Sequence, residues 1–155
     1  MIEYRNILVA TDYSEDSDLA VMHAADLAVR HGARLHILHV LGSLHRYRPE
    51  EISEGPDQVA QADEGLLAAK VEELKERCQK RLRGVEWVTC QVKAGAPFVE
   101  IVRYARDNDI DLIVMGASGH SELARTQYGS TVENVSRRAH CHVMAVRNPE
   151  KTYTL

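Results

Sequence analysis

The chain has 155 residues, 45% hydrophobic and 27% charged, the size and balance of one globular domain with a full core. Its net charge of −4 argues against a nucleic-acid binder, which would carry a basic stripe. Three scattered cysteines, Cys78, Cys90 and Cys141, form no Cys-x-x-Cys pair, which speaks against a disulfide framework or a thiolate zinc site and fits a reducing cytoplasm.

No apolar run approaches transmembrane length, and the chain starts at once with a strand pattern, so neither membrane insertion nor a signal peptide is expected. Tyr4 to Ala10 reads as the first strand, apolar on both faces through Ile7, Leu8 and Val9. Thr11 to Ser14 is a turn. Ser14 is positioned to cap a helix from Glu15 to His31, with acidic residues in its first turn and Gly32 as its stop. Ala33 to Val40 is a second strand. His36 and His39, three apart, fall on its opposite faces and cannot share a metal, so each is read as structural.

Residues 41–57 form a long connection containing His45, Arg46 and Arg48, read as a solvated loop that could approach a phosphate. A long helix from Gln58 to Arg83 presents Leu67, Val71, Leu74, Cys78 and Leu82 as one apolar stripe. Val85 to Val92 is a third strand, and Lys93 to Pro97 a turn. A short helix follows, marked by Phe98, Ile101, Val102 and Ala105. Leu112 to Met115 is a continuous apolar run, the fourth strand, ended by Gly116. A last helix from Ser130 to about Ala139 buries Val132 and Val135, and His142 to Val146 is the fifth strand. Residues 1–147 are expected to form one domain and 148–155 a frayed tail.

Strands and helices alternate throughout, which predicts an α/β fold: a doubly wound five-stranded parallel sheet in the order 3-2-1-4-5. In that order strands 1 and 4 are neighbours where the winding reverses, and ligands bind outside the carboxyl ends of strands at such a point. The turn at Asp12 then lies beside the loop that begins at Gly116.

That loop reads Gly116-Ala-Ser-Gly119-x9-Gly129-Ser130. Glycines let main-chain N–H groups approach a ligand closely, and a helix starting near Ser130 leaves its first N–H groups unpaired beside a dipole that favours anions. Ser130 and Thr131 add hydroxyl donors, so strand, loop and helix start form a phosphate cradle. Glycines at about 7% of residues would match this spacing by chance roughly once in twenty such chains, and a plain connection whose glycines only ease turns stays open. No Lys follows Gly129, so this is not a P-loop, nor is it the Gly-x-Gly-x-x-Gly dinucleotide fingerprint.

Together with Asn6-Ile-Leu-Val-Ala-Thr-Asp12-Tyr-Ser14, this pattern resembles the universal stress protein family, in its ATP-binding subgroup, over about Tyr4 to Arg147. The resemblance implies the same Rossmann-like sheet order and a site for ATP or another adenine nucleotide, with Mg²⁺ bridging phosphates. By that likeness Asp12 lies near ribose and base, and the backbone of Val40 meets adenine. Gly116, Ser118, Gly119 and Gly129 line the ribose and phosphates, and Ser130, Thr131 and Val132 hold the phosphates. Ala10 and Met115, the last residues of strands 1 and 4 before the turns, complete the set. Asp12 has a competing role in closing its own turn. His120 could donate to phosphate or lie on the surface, and Arg125 could neutralise phosphate or point to water.

The expected role is a nucleotide-dependent regulatory module in stress response with no catalytic residue and at most slow hydrolysis, since no general base accompanies the loop. A Mg²⁺-dependent ATP hydrolase or nucleotidyl-transfer enzyme is the alternative, and a dimeric interaction module without nucleotide is a second. Val143, Met144, Ala145 and Val146 would lie on an apolar sheet edge, so a homodimer through the C-terminal strand is expected, with a further protein partner left open.

Overall fold

The computed structural model describes residues 1–42, 64–118 and 130–150. Gly119, His120, Arg125 and Gly129, the 43–57 connection, the expected helical start at 58–63 and the last five residues lie outside the described residues. The described chain forms five parallel strands: β1 (Asn6–Ala10), β2 (Arg34–Gly42), β3 (Val88–Gly95), β4 (Leu112–Gly116) and β5 (His142–Val146). Their order is β3-β2-β1-β4-β5, as expected.

β1 is central because every residue between its ends is apolar: Ile7, Leu8 and Val9 have no exposed surface. Alternation sends Ile7 and Val9 to one face and Leu8 to the other. The first face packs with Leu35, Ile37, Leu112 and Val114 beneath two helices, α1 (Glu15–His31) and α2 (Glu64–Cys78). The second packs with Leu38, Ile113 and Met115 beneath α3 (Pro97–Asp107) and α4 (Ser130–Arg138).

α1 begins and ends where its caps dictate. Ser14 accepts from the Ser17 N–H, and Gly32 takes the left-handed conformation (φ 61) that lets the Ala33 N–H reach back to the Ala28 carbonyl. Between them Ala20, Ala24, Ala25 and Ala28 are buried, and their small side chains bring the helix close to the sheet. α2 turns into a tight 3₁₀ segment at Gln79, so its regular part stops short of the expected Arg83. α3 opens on Pro97 as foreseen, and buries Tyr104 as well as the expected Ile101 and Ala105.

β3 corrects the sequence reading. It runs from Val88 to Gly95, three residues later than expected, and includes the Lys93–Gly95 stretch read as a turn. The cause is its partner. β2 continues to Gly42, and the ladder carries β3 along residue by residue, from Leu35 opposite Val88 to Gly42 opposite Gly95. Trp87 is left outside the strand, more than half exposed. β1 similarly starts at Asn6 rather than Tyr4.

Candidate functional site

The carboxyl ends of β1, β2 and β4 converge. Ala10 stands opposite both Leu38 of β2 and Met115 of β4. On the α3/α4 face, Ala10, Val40, Met115 and Val132 join a single apolar cluster. Four of the expected site residues thus meet, from three strands and the first turn of α4. A helix in a parallel crossover runs back against its strands, so the amino end of α4, at Ser130 and half-buried Thr131, opens at the carboxyl end of β4.

The β1 exit is built from short side-chain bonds. The Thr11 N–H extends pairing to the Leu38 carbonyl at 2.9 Å. Thr11 Oγ1 accepts from the Tyr13 N–H at 3.1 Å and lies 3.1 Å from Ser17 Oγ. Asp12 Oδ1 accepts from the Ser14 N–H at 2.9 Å, so Asp12 does close its own turn. Asp12 is nevertheless exposed, at the end where α4 starts.

Gly116 has a different reason for being glycine than ligand approach. A Cβ there would lie 2.7 Å from the Ser17 nitrogen and 2.8 Å from the Asp16 carbonyl carbon, both backbone atoms of α1. No side chain fits between this strand end and the helix, and Gly116 is not among the residues with positive φ. Ser118, two residues on, is buried, and its hydroxyl donates to Asp16 Oδ2 at 2.6 Å. The Ala117 N–H donates to the Val146 carbonyl at 2.8 Å, tying the same exit to β5.

Residues without a part in the sequence reading of the site surround it. Tyr13 holds a left-handed backbone (φ 64), uncommon for an aromatic residue. Its ring lies between the His39 ring, 4.4 Å away, and the Arg77 guanidinium, 4.2 Å away. Its hydroxyl is buried with no hydrogen-bond partner among the described residues, and burial pushes the phenol up to about 12. His39 Nδ1–H donates to the Thr11 carbonyl at 2.7 Å, which fixes its tautomer. His39 is structural, as the sequence suggested, but supports the β1 exit directly. A positive φ at Tyr13 and a buried Asp16 carry no local sequence signal.

Two observations bound the chemistry. Among the described residues no three His, Cys, Asp or Glu side chains gather as metal ligands. A cavity of about 460 Å³ lined by Tyr4, Asp109, Asp111, His140 and His142 lies at the opposite, amino end of the strands. The Asp111 carboxylate there accepts from the Arg5 and Asn6 N–H groups, a structural use. No helix among the described residues is long and apolar enough to cross a membrane.

Known proteins agree with this architecture. Residues 3–147 match the Universal stress protein family. The chain is similar to universal stress protein MJ0531 of Methanocaldococcus jannaschii, 32% identical over 96% of this chain and 85% of that one. Among solved structures it is similar to UspA of Lactobacillus plantarum (TM-score 0.73, 28% identity, covering 95% of this chain and all of that one). It is also similar to a universal stress protein solved in complex with cAMP (TM-score 0.64, 26% identity, covering 94% and 98%). The strand order, the apposed ends of β1 and β4 and the match over nearly the full length have one conclusion: the chain belongs to the universal stress protein family.

Proposed function

We propose that this protein binds ATP or another adenine nucleotide at the carboxyl ends of β1, β2 and β4 and acts as a nucleotide-dependent stress-response module in the cytoplasm. The observation that carries the reading is the pairing of Ala10 with Met115, which sets the exposed Asp12 turn beside the start of the Gly116-x-x-Gly119-x9-Gly129-Ser130 pattern. The cAMP complex of a related universal stress protein supports an adenine ligand.

The donor set fits a polyphosphate. The first N–H groups of α4, with Thr131, offer donors and a favourable dipole. The backbone of Val40 offers groups for the base and Asp12 a carboxylate for the ribose. Gly119, Gly129 and Ser130 belong to the proposed set by sequence alone. Mg²⁺ would ride on the nucleotide phosphates, the usual way this cation is held when a protein supplies few carboxylates. No clear general base accompanies the glycine-loop sequence, so hydrolysis is expected to be slow.

Purified protein should release an adenine nucleotide on denaturation, identified by mass, and should gain thermal stability on adding ATP. Absence of both would leave a dimeric module without nucleotide. Rapid Mg²⁺-dependent turnover would instead favour the hydrolase or nucleotidyl-transfer reading.

A further inference from the structure

Asp16 lies in the first turn of α1 with no exposed surface. An acidic residue there usually serves the helix dipole from the solvent side, and the cap of α1 is already supplied by Ser14. Burial of this carboxylate therefore calls for a partner, and one comes from 102 residues away: the buried Ser118 hydroxyl donates to it at 2.6 Å, a length in the range of O–H bonds to carboxylates. Gly116 completes the fit. Its missing Cβ leaves room for Asp16, whose own Cβ would stand 2.9 Å from a side chain placed there. On its other side the same helical turn meets β1, through Ser17 Oγ and Thr11 Oγ1 at 3.1 Å. The first turn of α1 thus clasps the exits of both β1 and β4.

We propose that Asp16 is a positioning residue for the nucleotide, holding the Gly116–Ser118 exit of β4 at a fixed distance from the Asp12 turn. This rests on the nucleotide reading above. Asp16 does not touch the ligand; it sets where the main chain leaving β4 meets the ligand's phosphate side. The nucleoside side is held by other bonds: the Asp12 turn by the Thr11 N–H to the Leu38 carbonyl and the Ser14 N–H to Asp12 Oδ1, and Val40 by the β2–β3 ladder.

The test is calorimetric titration of the full chain with ATP and with adenosine. In D16A, ATP binding should weaken about ten- to a hundredfold, the loss of roughly one hydrogen bond to a charged phosphate. Adenosine binding should stay within about threefold, so that the affinity added by the phosphates collapses. D16N keeps an oxygen to accept from Ser118 and should recover most of the loss. S118A removes the Ser118–Asp16 bond alone and should weaken ATP in the same direction as D16A, and adding it to D16A should weaken ATP no further. Equal weakening of ATP and adenosine, unchanged ATP affinity, or failure of D16N to rescue would each overturn the proposal while leaving nucleotide binding intact. A wild-type chain that binds no ATP would overturn both. Should D16A fail to fold, D16L, close to Asp in shape but unable to accept from Ser118, decides the question by the same ratio.

Discussion

The Tyr104 hydroxyl and His36 Nδ1 lie 2.8 Å apart, buried under α3, and join the helix to β2 through the sheet's second face. His36 Nε2 is buried and finds no partner among the described residues, and burial holds the ring below its ordinary value of 6.5, with Arg34 adding to the effect. The unfolded chain then takes up the proton first as pH falls. The stability tied to neutral His36 is complete above about pH 6.5 and is lost as pH drops through the lower folded value. Thermal unfolding should show a midpoint that falls between pH 7 and pH 5. His36→Gln, which can still bond Tyr104 but cannot titrate, should flatten that profile. An unchanged slope would assign the pH dependence elsewhere.

Gly116→Ala should destabilise by about 1–3 kcal/mol in urea unfolding, because its Cβ meets main-chain atoms that cannot swing aside. The start of α1 would have to move, taking Asp16 with it. A variant as stable as wild type would show that α1 does not press on this strand end.

Tyr13→Phe removes a buried hydroxyl that makes no hydrogen bond among the described residues, and keeps the ring between His39 and Arg77. It should raise stability by up to about 1 kcal/mol. With its phenol at about 12, Tyr13 contributes stability that is intact below pH 10 and lost as pH rises from 10 toward 12. Ultraviolet titration should show two tyrosines ionising late, since burial also raises the Tyr104 phenol, and Tyr13→Phe should remove one of them. A loss of stability in that variant would reveal a partner for the hydroxyl.

Among the described residues β5 pairs only with β4, which leaves its other edge for a second copy. The Val146 carbonyl faces β4, where it accepts from Ala117, so in a parallel ladder the N–H of Ala145 points outward. Light scattering at micromolar concentration should give a homodimer. Ala145→Pro should give a folded monomer, since it removes an outward donor and spares the β4 ladder. A dimer that persists in this variant would place the interface elsewhere.

Where the residues carry strong local signals, sequence and structure coincide. The run Leu112–Met115, the Ser14 cap and the Gly32 stop each rest on neighbours within a few positions, and β4 and α1 fall where they indicate. β3 was misplaced because nothing in Lys93-Ala-Gly announces a strand; its register is imposed by β2. Asp16 read only as a dipole-friendly acid, because its burial depends on Ser118 and on the space at Gly116, a relationship no periodicity encodes. Gly116 was legible as a glycine that mattered, while the neighbour that requires it is a helix from the other end of the chain.

The central place of β1 between β2 and β4 has a consequence for synthesis. While the ribosome has delivered only the residues through α3, β1 has one neighbour and an open flank of main-chain groups beside Leu8 and Val9, and Asp16 waits for a hydroxyl not yet translated. Truncated products ending before Leu112 should therefore be sticky and quickly degraded, and any metabolite that stabilises the finished protein can do so only after the last third of the polypeptide has emerged.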